Sequence, residues 1–503
     1  MENSASYRNI FKTTFLFGFV KIFNILVKIG LQKAVAVLLG ASGLGTIGLF
    51  NNAIQFIRQT AGLGIDQSAV RDISEANGNN RIARCSEVIA VVKRVIGLTC
   101  LLGIILTLVF SRFLSRYTFG NYSYTVSYIF LSIAVGAAIL TAGQSAILTG
   151  MRRLRHLAYS SMIGAVVGLL SGLPFYYFLG DKGIVPSLIV SNLTQLLVTG
   201  YYVNRLPVER FRLSVKKFVH GASAIVKTGA ALMIQGLMLQ ASNLIIASYV
   251  SLHDNLSVLG CYQAGISIIG GYFGVILTAM TTEYYPRISA INSDNPNLNN
   301  AVNVQSETGL MLAFPLVILF VIFSDFFFRF LYSEEFMAGT DYVNFAVMGT
   351  VTIICSNCMG MILMAKQKYK TILISSFIMS VIILTINIVL YRLCGLKGLG
   401  CGYFFSGLLQ FVVYDRMMFR RYRIRFNRTV LLKWLLLIVA ILVVNFMKYV
   451  PDVKISYTVN AIILLCTTLY TLHFMRHKMN ISFSTITYHI KNKFHFNNKN
   501  KTV

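Results

Sequence analysis

The chain has 503 residues, 56% of them hydrophobic and only 12% charged, with 45 Lys and Arg against 17 Asp and Glu for a formal net charge of +28. A soluble chain of this length would divide into several domains with about a quarter of its residues charged; repeated apolar runs of about 20 residues make it a polytopic membrane protein instead. The basic residues sit in short segments between those runs, as in orienting loops, and this excludes nucleic acid as the partner.

In chain order, apolar run length and turn signals place fourteen spanning helices, at 10–39, 44–71, 88–111, 126–149, 157–179, 184–205, 222–250, 256–285, 300–329, 341–365, 370–392, 398–420, 431–449 and 455–475. The first run carries Lys21 and Lys28 and continues past Leu39, too long and too charged for the core of a cleavable signal. One alternate set of loops holds Arg81 and Arg84, then Arg152, Arg153 and Arg155, then Arg205, Arg210 and Arg212, and later Arg287, Lys366, Lys368, Arg420 and Arg421. The other set has few cations and includes Asp254, Glu334 and Glu335. The positive-inside bias puts the basic set in the cytoplasm, and the even count puts both termini there too. The Asn-rich basic tail after Arg476 then lies on the inner surface, drawn to anionic membrane lipid.

The second span opens on Gly43-Leu44-Gly45-Thr46-Ile47-Gly48, a match to G-x-G-x-x-G. A dinucleotide loop needs a strand before it and a helix after it in a soluble unit, whereas long apolar helices flank these glycines. They are read as a tight turn and a close helix contact, and no cofactor is expected. Cys355 and Cys358 form a C-x-x-C within a span and have no second pair to complete a zinc or redox site. No enzyme is indicated: the loops assigned to the outside are short and carry no His/Asp/Glu constellation.

Polar residues inside spans are the candidates for function. Lys21, Asn24, Lys28 and Gln32 recur at steps of three and four on the first helix, and Asn51, Gln55 and Arg58 do so on the second. A cation in mid-bilayer costs about 3 kcal/mol or more on an insertion scale, so it faces a cavity or a partner unless it snorkels to an interface. Snorkelling suits Lys93, Arg94 and Lys227, and it fits Arg58 poorly. Lys21, Lys28 and Arg58 are therefore taken as cavity cations that suit an anion. Asp66 lies two turns beyond Arg58 on a similar face, and Glu307 stands in the ninth span; these two acids are the candidates for ion coupling. Gln235, Gln240 and Gln263 add uncharged lining or simply pack.

The chain also repeats itself. "GDKG" at Gly180–Gly183 matches "GLKG" at Gly395–Gly398, and the same offset of 215 pairs Tyr176 with Tyr391 and Gln195 with Gln410. An offset of 212 places Gly48 on Gly260 and sets Gly43 and Gly45 on Asn255 and Ser257. A parallel duplication of a six-helix unit is expected to give two lobes, 1–215 and 216–428, around a central cavity, followed by two extra helices at 429–476 and a cytoplasmic tail at 477–503. At the second offset Lys28 falls on Gln240 and Arg58 on Gly270, so the expected anion site belongs to the first lobe.

The stretch "VLLGASGLGTIGLF", the twelve-plus-two helices and the duplicated lobes resemble O-antigen or polysaccharide-precursor flippases of the Wzx type, in the multidrug/oligosaccharidyl-lipid/polysaccharide (MOP) exporter superfamily. The resemblance spans about Phe11 to Arg421. It implies alternating access in a bacterial inner membrane and an undecaprenyl-pyrophosphate-linked glycan as substrate. Polysaccharide polymerase and chain-length proteins are the partners it suggests. Lys21, Lys28 and Arg58 match the family's cationic first and second helices by helix and face. A drug or cation antiporter of the same superfamily, a murein-precursor flippase and a membrane polysaccharide polymerase stay open as alternatives.

Overall fold

The computed structural model describes residues 2–78, 82–206, 215–274, 284–285, 287–366 and 368–478, together with residue 277. Among them every regular element is helical. Among the described residues nine stretches are long and apolar enough to cross a membrane; Leu154–Asn204 and Thr371–Tyr422 run to 51 and 52 residues. Glycines divide the three longest of these, and with two further helices the described residues hold fourteen long helices, the number read from the sequence; the end of the span expected at 256–285 lies outside the described residues. The chain forms two compact units.

The first unit comprises Met1–Val275, Phe328–Val343 and Lys368–Ser406. Its helices include α1 (Glu2–Ala61), α2 (Ile65–Gly78), α3 (Ile82–Val109), α4 (Ser111–Phe119), α5 (Thr125–Gly150), α6 (Leu154–Leu179), α7 (Ile184–Asn204), α8 (Val215–His253) and α9 (Leu256–Ile268). α1 is two helices joined at Gly40, whose φ of 67° is open to glycine. The break exposes the amide of Ala41, which donates to the Glu335 carboxylate at 3.2 Å; an acid is well placed at the start of the helix that follows. The turn is thus made at Gly40, and the G-x-G-x-x-G glycines already lie inside the second half of α1. Their work is contact with α9: a methyl at Gly45 would lie 2.1 Å from the Leu256 carbonyl oxygen, and one at Gly260 would lie 1.9 Å from that of Ala41. The apolar side of the same half-helix buries Leu49, Phe50, Ala53 and Ile54.

The duplicated glycine turns share one backbone conformation. Gly180 has φ 53° and ψ −133°, and Gly395 has φ 57° and ψ −136°. Three residues on, Gly183 presses on the Phe175 carbonyl and Gly398 on that of Leu390, again 215 apart.

The second unit comprises Ile276–Phe327, Asn344–Gln367 and Gly407–Val503. Three of its helices are α10 (Asn295–Ile322), α14 (Arg428–Met447) and α15 (Val453–Lys478); α11 (Ser324–Leu331), α12 (Gly339–Ala365) and α13 (Tyr369–Tyr422) come between them in the chain and run across both units. Asp294 and Asn427 cap α10 and α14 by accepting backbone N–H groups. The last two helices are fastened to α10 by charge. Glu307 accepts from Lys433 of α14 at 2.5 Å and from Lys478 of α15 at 3.2 Å. The Lys433 ammonium also lies 4.3 Å over the Phe474 ring of α15.

Candidate functional site

The site forms where α1 ends and α2 begins. One span over 44–71 was expected, which would put about 12 Å of helix between Arg58 and Asp66. The chain instead turns a corner at Gly62, Leu63 and Gly64, with φ of 50° at Leu63 and 64° at Gly64. The backbone of α8 closes on this corner: a methyl at Gly64 would lie 2.1 Å from the Gly229 carbonyl oxygen. Arg58 therefore stands in the last turn of α1 and Asp66 in the first turn of α2, each at the helix end that favours its charge. The corner brings Arg58 Nη1 to 3.8 Å from Asp66 Oδ2.

Gln55 sits one turn earlier and accepts from Arg58 Nε at 2.9 Å. The guanidinium is oriented through Nε, and Arg58 lines an open cavity of about 660 Å³. Gln55, Arg58 and Asp66 share that lining with Thr141, Ser145 and Thr149 of α5 and Asn192 of α7. The volume lies in the range of small-molecule sites. The hydroxyl oxygen of Thr141 is buried and has no hydrogen-bond partner among the described residues. The side chains of Arg58 and Asp66 are 26% and 33% exposed and are separated by more than a hydrogen bond. Such a pair is worth at most about 1 kcal/mol, whereas a charge-assisted hydrogen bond from a guanidinium to an anion is worth about 1.5–3 kcal/mol. The geometry thus offers a pre-oriented cation with a carboxylate that a phosphate could displace.

Two members of the polar stripe of α1 are tied down. Asn24 donates to Ser161 at 2.8 Å; Gln32 donates to Ser267 at 2.6 Å and accepts from the Tyr332 hydroxyl at 3.1 Å. Lys28, between them on the same face, is exposed and has no ion pair among the described residues. Asn51 is exposed and Gln240 half-buried. Gln263 packs against Gly48, and its Nε2 is buried without a hydrogen-bond partner among the described residues. The side chains of Lys21 and Gln235 lie outside the described residues. Glu307 belongs to the second unit, where its carboxylate is held by Lys433 and Lys478. The structure therefore brings together Gln55, Arg58 and Asp66. It adds Thr141, Ser145, Thr149 and Asn192, which sequence reasoning missed. The signal available for three of them was their spacing of four residues along one helix. Among the described residues no group of three His, Cys, Asp or Glu could hold a metal ion.

Residues 34–341, more than half of the chain, match the model of a family described as polysaccharide biosynthesis protein. No curated protein matches the sequence. Solved structures do match the fold. One is a lipid II flippase MurJ in an inward closed conformation, with TM-score 0.68, 14% identity, and 93% of this chain and 99% of that one covered. Another is an inward-facing multidrug resistance MATE family transporter of the MOP superfamily, with TM-score 0.56, 14% identity, and coverage of 81% and 99%. A third is the Vibrio cholerae MATE transporter VcmN in its bent form, with TM-score 0.55, 14% identity, and coverage of 84% and 100%. The fold is that of the MOP exporters.

Proposed function

The chain belongs to the polysaccharide biosynthesis family, and on that footing we propose that it is a flippase. It carries an undecaprenyl-pyrophosphate-linked oligosaccharide, such as an O-antigen, enterobacterial-common-antigen-like or capsule repeat unit, across a bacterial inner membrane by alternating access. Two six-helix lobes, 1–215 and 216–428, rock about the substrate; the helices of 429–476 flank them, and both termini are cytoplasmic. The observation that carries this reading is Arg58, held by Gln55 at a cavity wall with a loosely spaced carboxylate beside it. The guanidinium receives the pyrophosphate with paired N–H donors and Asp66 is released. Lys28, and Lys21 with it, attract the anion on its way in. MurJ is, by its name, a flippase of lipid II, and the proposed cargo of this chain is likewise a lipid. Polysaccharide polymerase and chain-length proteins would take up the product.

The test is a strain lacking the protein. Its extracted lipids should contain a polyprenyl-pyrophosphate repeat unit trapped in the inner leaflet, and its surface polysaccharide should be lost. Normal surface polysaccharide with no lipid-linked intermediate would refute the reading. One observation favours a second reading: Asp66 puts a carboxylate in the cavity, as binding of a cationic drug would require. Lower drug accumulation in cells that make the protein, abolished by Asp66→Asn, would support an antiporter instead.

A further inference from the structure

A second cavity, of about 730 Å³, is lined by α1, α5 and α7, the helices that also contribute to the Arg58 cavity. One wall is Tyr124, the residue that precedes α5. Its ring stacks on Phe119 with centroids 3.9 Å apart and planes at 21°. The buried Phe50 packs on both rings, 5.3 Å from Phe119 and 6.1 Å from Tyr124. These contacts hold the Tyr124 ring in place, and Phe50 and Tyr124 both line the cavity. Around it stand the hydroxyls of Thr46 and Ser127 and the exposed Asp181 and Lys182 of the Gly180–Gly183 turn. Burial, and the Asp181 carboxylate near it, push the Tyr124 phenol above its ordinary pKa, so the hydroxyl stays a donor.

The two cavities follow one another along the same helices. Asn192 lines the first and Val190 the second, two residues apart on α7. On α1, Thr46 and Arg58 are twelve residues apart, about 18 Å along the helix. That is the reach of a short oligosaccharide whose phosphate end is at the guanidinium.

We propose that Tyr124, Asp181 and Lys182 form a saccharide-binding subsite that takes the sugars of a glycan whose pyrophosphate sits at Arg58. The inference rests on the flippase reading above. An aromatic face packs against the C–H face of a pyranose. A carboxylate and an ammonium accept from and donate to its hydroxyls with charge-assisted hydrogen bonds. By the loop-charge orientation the subsite is at the outer end of α1, so the sugars lead and the phosphates follow.

The test uses the full chain in detergent, with Phe130→Trp as a reporter in the cavity wall and the parent chain, whose one Trp is Trp434, as background. The probe is the repeat-unit oligosaccharide hydrolysed from the surface polysaccharide of the encoding strain, free of lipid and phosphate. A saturable change in reporter emission is expected. Tyr124→Ala and Asp181→Asn should weaken it tenfold or more, while Tyr124→Phe and Arg58→Ala should retain it. No saturable change in the reporter protein, or undiminished binding in Tyr124→Ala and Asp181→Asn, would overturn the subsite. Inorganic pyrophosphate as a second probe separates the two ideas. Pyrophosphate binding that needs Arg58, with no saccharide binding, removes the subsite and leaves the flippase reading standing. Saccharide binding that needs Tyr124, with no pyrophosphate binding, keeps the subsite and removes the anion site.

Discussion

Among single residues, Arg58 and Asp66 decide how the proposed site works. A guanidinium held through Nε by Gln55 has its remaining donors free for two phosphate oxygens. Arg58→Lys keeps the charge and loses the two-pronged geometry, so partial transport should remain. On the proposed reading, Asp66 competes with the substrate for the same cation. Asp66→Asn should therefore tighten binding of inorganic pyrophosphate to the purified protein several-fold. It should also slow export, because no carboxylate is left to displace the phosphate when it must leave. Isothermal titration reads the first effect and surface polysaccharide the second; unchanged affinity would show that the 3.8 Å pair plays no part in the site. These two residues stood out by type and by a similar helix face, while their approach to 3.8 Å did not follow from their spacing. The hydroxyls that share the cavity with them did not stand out: Thr and Ser are small and common in apolar helices, where they often do no more than bond back to a carbonyl of their own helix, as Thr149 does to Ser145.

At the scale of elements, charge fastens the last two helices. Lys433 is 7% exposed, and its partner Glu307 is 6% exposed. Removing one member of a buried pair strands the other, a loss of about 3 kcal/mol or more. Glu307→Ala should lower the thermal unfolding midpoint of the detergent-solubilised protein by several degrees. Lys478→Ala should leave it nearly unchanged, because the Lys478 side chain is 60% exposed. Equal effects of the two changes would contradict this assignment. Most breaks between helices were legible because they fall at glycines in turns, as at Gly40 and Gly180. The corner at Gly62–Gly64 was not. The local sequence "TAGLGI" is apolar and continues a spanning run, with no proline or polar cluster to announce a turn. What bends it there is tertiary, the backbone of α8 pressing at Gly229. That missed corner is also what brings Arg58 and Asp66 into contact, so the site was legible as a composition and not as a geometry.

Across the whole molecule, two glycine turns 215 residues apart take one backbone conformation. Gly180 and Gly395 agree within a few degrees in φ and ψ, although their neighbours Asp181 and Leu396 differ in character. The orientation follows from loop charge. In a chain whose eight cysteines have first been replaced, Asn121→Cys and Asp254→Cys should react with an impermeant thiol reagent in intact cells. Arg153→Cys and Lys368→Cys should react only after permeabilisation; the reverse pattern would invert the molecule. Transport of an anionic lipid-linked glycan through a site built on Arg58 can be watched in liposomes. Purified protein is reconstituted with undecaprenyl-pyrophosphate-linked repeat unit placed in the inner leaflet, and the sugars that become accessible to an external lectin are followed over time. The native chain should expose them, and Arg58→Ala, incorporated to the same level, should expose them at least tenfold more slowly. Equal rates for the two proteins, or no exposure by the native chain, would contradict the account.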